Sequence, residues 1–170
     1  KESANFVIVS CHAGIEMSPW PYPELQDFYR TLIDLGADIV HGHHSHLPQG
    51  YEVYGRGLIL YGVGNFAAEN EEYLDSYYGL YSLAVRLTFR VDEFDWELLP
   101  LKMNVPTEDR TMRIFPLQGK ELKGFLEGHL HRCSSPLKDT EFLKSLWQEV
   151  AIRYFRTYGD SLWGRNQGNS

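Results

Sequence analysis

The sequence predicts an α/β domain with parallel strands joined through a helix, and three stretches carry that expectation. "NFVIVSCHAG" (5–14) is an unbroken apolar run of strand length, the pattern of a strand buried on both faces. "ADIV" (37–40) is a second, shorter one. Between them Leu25, Phe28, Tyr29 and Leu32 follow the i, i+3, i+4, i+7 spacing of one buried helix face. Strand, helix and strand in that order outline a βαβ unit, because parallel neighbours need a crossover.

The bulk composition agrees. A chain of 170 residues with 43% apolar and 23% charged side chains can bury a real core. The formal charge of −7 argues against a nucleic-acid or anionic-membrane binder, since either needs a basic surface. Cys11 and Cys133 are too few and too far apart for a disulfide scaffold or zinc knuckle, and two idle thiols are the expectation. No apolar run approaches the ~20 residues of a membrane span. There is no signal peptide, but the chain opens with Lys1 and Phe6 already begins a strand, so a natural start upstream is expected.

Each element has its own signals. "SPWPYPE" is a proline-rich loop; Pro23 suits the first helical turn and Gly36 the C-terminal cap. "YEVYGRGLILYGVGNF" reads as two strands turned at Gly55-Arg56-Gly57. In "SLAVRLTFRV", Leu83, Val85, Leu87, Phe89 and Val91 face one side and Ser82, Arg86, Thr88 and Arg90 the other. This strand with one wet face pairs antiparallel with "WELLPLKM" across the acidic turn at 92–95. The tail carries two helical faces, Leu122, Phe125, Leu126, His129 and then Leu143, Leu146, Trp147, Val150, Tyr154, the second capped by Asp139. We therefore divide the chain into a main body, 1–117, and a helical tail, 118–170, packed on it.

"DIVHGHHSHLPQG" (38–50) holds four of the seven histidines: His41, His43, His44 and His46. His12 closes the first strand in the same way. In open α/β sheets ligands collect beyond the carboxyl ends of the strands. Neutral imidazole is the commonest nitrogen donor for zinc, manganese and iron, so converging histidines there point to a metal. Past the strand end the chain is free to turn His44 and His46 toward one centre, and Gly42 allows close backbone approach. Glu16, four residues after His12, is a ligand, a general base or a partner that orients an imidazole. Asn65 binds metal or substrate, or simply makes a turn. Gln49 and Glu52 are read as structural or solvated. A helix dipole accounts for His129 and His131 without function.

"FVIVSCHAGIE", "LIDLGADIVHGHHSH", the following "Q" and "YEVY", and "LILYGVGNF", in that order over residues 5–66, resemble the CapA (PgsA) poly-γ-glutamate capsule synthesis family of the calcineurin-like metallophosphoesterase superfamily. The family's HxGxE falls on His12, Gly14 and Glu16, its GxHxH on Gly42, His44 and His46, and its GNF on Gly64, Asn65 and Phe66. "YGV" (61–63) replaces the more usual YSL, and Ala13 stands where Trp is common. The family's earlier acidic and amide motifs have no counterpart before Lys1, so the chain resembles the C-terminal half of such a domain. The resemblance implies metallophosphoesterase-like layered sheets flanked by helices. It implies metal ligands at His12, His44 and His46, catalytic roles for Glu16 and His43, and substrate binding at Asn65. It further implies two divalent transition-metal ions (Mn, Fe or Zn) shared with an N-terminal half, a cell-envelope setting, and membrane contact only through parts outside this chain. The expected substrate is a phosphate compound or a polyglutamate or peptide. A peptide epimerase on the same scaffold and a non-catalytic polymer-binding or capsule-assembly protein stand as alternatives.

Overall fold

A computed structural model describes residues 4–67, 79–103 and 112–162. Strands β1 (Ile8–His12), β2 (Ile39–His43), β3 (Tyr51–Tyr54) and β4 (Gly57–Leu60) form one sheet in the order β1-β2-β4-β3. The first three in that order run parallel, and β3 returns antiparallel to β4 through the Gly55-Arg56 turn. The predicted βαβ unit is thus present, with helix α1 (Pro23–Asp34) as its crossover. Pro23 opens the helix, and Gly36, at a φ of 107°, closes it in a conformation open to glycine.

Two expectations about these elements change. The buried face of α1 is Leu25, Gln26, Tyr29 and Ile33, while Phe28 is 51% exposed. The helix is rolled so that Gln26 can donate from Nε2 to the Leu137 carbonyl (2.8 Å), a tail contact that apolar spacing cannot encode. Strand β1 is not buried on both faces: it lies at the sheet edge, and Ile8, Ser10 and His12 are exposed.

Three layers result. On one side of the sheet Leu25, Tyr29 and Ile33 pack with Val40, Ile59, Tyr61 and the tail residues Leu137 and Leu143. On the other side Ile39, Leu58 and Leu60 meet Val85, Leu87, Phe94, Trp96 and Leu98 from a second sheet. That sheet is antiparallel, in the order β5 (Tyr81–Phe89), β6 (Phe94–Met103), β7 (Ile114–Pro116). The predicted hairpin pairing holds, but Ser82 is buried, and Val91, beyond the strand, is 79% exposed.

The tail begins with α2 (Gly119–Gly124), widens to a π-helix at Phe125–Leu130, and continues through α3 (His131–Ser134) and a 3₁₀ turn (Ser135–Lys138). Helix α4 (Thr140–Leu162) follows, and Asp139 Oδ1 accepts from the Phe142 N–H (3.0 Å) as the predicted cap. Leu126 points outward, whereas Phe125, His129 and Leu130 are buried. His129 is not explained by a helix dipole. It lies within the helical run, is 1% exposed, and donates from Nε2 to the Pro48 carbonyl (2.6 Å). Both cysteines are free; Cys133 is fully buried and its thiol is pushed up to about 12 by desolvation. Among the described residues no helix is long and apolar enough to cross a membrane.

Asp139→Ala removes the cap of α4 and is expected to cost about 1 kcal/mol in urea unfolding. Burial holds the His129 imidazole below its ordinary pKa, so the folded state favours the neutral ring. The stability this supplies is complete above the ordinary imidazole range and falls as pH drops through the lowered folded value. His129→Gln is expected to flatten the decline of the melting temperature on the acid side of neutrality.

Candidate functional site

The site forms where β1 and β2 end together. Their parallel register sets Ser10 beside His41, Cys11 beside Gly42, and His12 beside His43, so histidines from two distant segments share one face. β2 runs on through His41 and His43, further than the apolar run alone suggests. A side chain at Gly42 would meet the carbonyl oxygens of Leu60 and Tyr61 and the Tyr29 ring, which accounts for glycine inside a strand.

Past His43 the chain leaves the sheet abruptly. His44 has a φ of 104° and His46 a φ of 57°, both in the region that non-glycine residues seldom enter. The turn is held from several sides. The Met17 N–H donates to the Ser45 carbonyl (2.8 Å), Ser45 Oγ–H to the Leu47 carbonyl (2.8 Å), and the Gln49 N–H to the Gly62 carbonyl (2.9 Å). Gln49 Nε2 also reaches the Ser18 carbonyl (2.9 Å), so this buried amide is structural. Glu52 is structural too: it takes a bidentate bond from Arg30 and one from the Tyr61 hydroxyl.

The outcome is a convergence of donors. One ligand atom each from Glu16, His44 and His46 lie within 4.8 Å of one another. His46 Nε2 is 3.8 Å from Glu16 Oε1. Its other nitrogen, Nδ1, is 2.7 Å from Asn65 Oδ1, while Asn65 Nδ2 donates to the His46 carbonyl (3.3 Å). An amide oxygen can only accept, so Nδ1 carries a proton, which leaves Nε2, on the Glu16 side, as the ring nitrogen that can serve as a metal ligand. Two imidazoles and a carboxylate fit a divalent transition metal.

His12 sits beside this trio rather than inside it. Its ring centroid is 4.6 Å from that of His44, and its Nδ1 is 2.8 Å from His43 Nδ1. Ser10 Oγ lies 3.4 Å from His41 Nδ1 and 3.3 Å from His43 Nε2. Desolvation lowers the pKa of His41, and desolvation followed by neighbouring imidazolium charges lowers that of His43. Both therefore favour the neutral form. The sequence reading missed Ser10 and His41 as members of the ladder. The two-residue stagger along each strand was the available signal, but it becomes legible only once the register is known.

Residues 1–70 match the family described as bacterial capsule synthesis protein PGA_cap. Capsule biosynthesis protein CapA of Bacillus anthracis is 41% identical over 66 residues, which are 39% of this chain and 16% of that protein. PGA biosynthesis protein CapA of Bacillus subtilis is 39% identical over 66 residues, 39% of this chain and 17% of that one. A probable polyglutamine synthesis accessory protein of Mycobacterium tuberculosis is 31% identical over 159 residues, 91% of this chain and 36% of its own length. In each case the larger part of the relative lies outside the match.

Gly42→Ala is expected to destabilise the fold by about 2 kcal/mol or more, since the added methyl meets backbone rather than a yielding side chain. Equilibrium urea unfolding checks this, with Gly55→Ala, at an open turn, as the comparison for strain without crowding.

Proposed function

We propose that this chain, whose residues 1–70 match the family of bacterial capsule synthesis proteins, carries the histidine share of a metal-dependent hydrolase site, phosphoesterase-like in chemistry, acting in the biosynthesis of a poly-γ-glutamate type of polymer. The observation that carries the reading is the convergence of Glu16, His44 and His46, with Asn65 fixing the tautomer of His46. His44 and His46 would hold the metal, with His12 adjoining them and Glu16 either completing the set or acting as base. Two ions of Mn, Fe or Zn suit such a donor set. When bound, they would supply Lewis-acid polarisation of a phosphoryl or carbonyl oxygen and an activated water.

The chain's own residues have separate tasks. Asn65 orients His46, and in this reading its amide also meets a substrate oxygen. His43, whose pKa desolvation lowers and whose Nδ1 lies 2.8 Å from His12 Nδ1, is placed to receive a proton at the rim of the site. Glu16 is 44% exposed in its side chain and open to a substrate. The partner in this reading is the N-terminal half of the same domain, which would bring further oxygen ligands. Among the described residues no strand pairs with the outer edge of β1, and this edge, with the exposed Ile8, Ser10 and His12, supports such a partner, since an unpaired strand edge invites pairing.

The 170-residue chain alone is expected to bind Mn(II) or Zn(II) but to leave bis(p-nitrophenyl) phosphate intact. Adding the N-terminal half should start hydrolysis, and His44→Ala or His46→Ala should reduce it by at least about 10²-fold. Isothermal titration and a chromogenic assay give both readouts. Deuterium uptake into a γ-glutamyl peptide without hydrolysis would favour the epimerase. Metal binding with neither reaction would favour a polymer-binding or assembly protein.

A further inference from the structure

The helical tail reaches the histidine turn through one buried hydrogen bond. His129 Nε2–H donates to the Pro48 carbonyl at 2.6 Å, two residues beyond His46. Pro48 is gripped on its other side: it bridges Val63, and a side chain at Gly64 would strike its ring. Proline has no N–H of its own, so the carbonyl is the backbone group by which position 48 can be anchored.

The tail is shaped around this contact. The helix departs from α winding at Phe125–Leu130, a rare geometry that recurs at functional sites. Within it the Phe125 ring stacks on Tyr81, with centroids 5.5 Å apart, and lies 5.4 Å from the His129 ring. One turn later the Cys133 carbonyl passes so close to Gly50 that any side chain there would collide, and Ser134 Oγ accepts from the Tyr51 N–H (3.1 Å). The family match ends at residue 70, whereas the match to the Mycobacterium tuberculosis protein covers 91% of the chain and so extends into this tail.

We propose that His129 is a positioning residue for the metal-binding turn: by holding the Pro48 carbonyl it fixes the left-handed path through His44 and His46 that brings both imidazoles toward Glu16. As a statement about metal affinity this rests on the function proposed above; as a statement about the order of the turn it does not. His129 touches neither metal nor substrate, and acts only through the backbone of residues 46–48. Without its bond, the carbonyl would be buried without a partner or would rotate toward water, and rotation would carry His46 with it.

The test uses the whole chain and separates positioning from general stability. His129→Leu removes the donor, and His129→Gln keeps an N–H at similar reach. Leu143→Ala weakens the α1 cluster without touching the turn. Amide hydrogen exchange of residues 44–50 is measured without metal, and Co(II) affinity and its visible absorption spectrum are measured with it. His129→Leu is expected to speed exchange in the turn by about tenfold relative to Leu143→Ala. It should also weaken Co(II) binding by about tenfold, within the range for residues that orient a ligand. His129→Gln should restore both to within about threefold of the parent. Equal effects of His129→Leu and Leu143→Ala on the turn would overturn the proposal. If the parent binds no Co(II), the metal reading fails while the exchange comparison still decides the role of His129. Should leucine at 129 prevent folding, His129→Asn, polar but too short to reach Pro48, replaces it with the same expected outcome.

Discussion

The parallel pairing of β1 with β2, in the register that opposes Cys11 to Gly42 and His12 to His43, is the constraint from which the rest of the site follows. A slip of one residue would turn every side chain of β1 to the opposite face and separate His12 from its neighbours. The register is fixed at its far end by Asp38, which is buried and accepts from the Val7 N–H (2.8 Å) and from Arg56 Nη2 (2.9 Å). At the near end it is fixed by the Ala13 N–H bonded to the His43 carbonyl (3.1 Å). Between them Gly42 lets the Tyr61 backbone and the Tyr29 ring close over β2.

Given that frame, the turn at 44–46 is a local strain held by its surroundings. Non-glycine residues at positive φ cost on the order of 1–3 kcal/mol each, and both His44 and His46 are such residues. The offset comes from bonds made by residues far apart in sequence: Met17, Gln49, Gly62, Asn65 and His129. The strained residues are also the ones that converge with Glu16. An unstrained extended path would carry alternate side chains to opposite faces, so His44 and His46 would still share a face but would lie farther along it. The turn instead brings both within reach of Glu16, with the His44 ring against His12.

Electrostatics and packing divide the labour across the molecule. Glu52, Arg30 and the Tyr61 hydroxyl form a satisfied polar cluster that stiffens the β3 side, and burial raises the Tyr61 phenol far above its usual range. The β1 side is left wet, and there desolvation lowers the pKa of His41 and, together with neighbouring imidazolium charge, that of His43. Imidazole nitrogens beside an exposed carboxylate are what a cation can use. The stiff side positions and the open side receives.

The βαβ unit, the β3–β4 and β5–β6 hairpins, the Pro23 and Gly36 boundaries, the Asp139 cap and the family resemblance were legible in the residues alone. All of these depend on local propensity, periodicity or linear spacing. The sequence also indicated His44, His46, Glu16 and Asn65, because each belongs to a short motif at a strand end. That β1 is an edge among the described strands came from the folded arrangement, since strand order is set by which surfaces are covered and not by the apolarity of one strand. That arrangement decided the roll of α1, which follows Gln26 to a carbonyl in the tail. It decided that His12 pairs with His43 beside the Glu16–His44–His46 trio, and that Ser10 and His41 extend the ladder. And it decided that His129, unremarkable on its helix face, supports a turn 81 residues earlier in the chain. Each of these depends on two segments meeting in space, and linear spacing carries no information about where they meet.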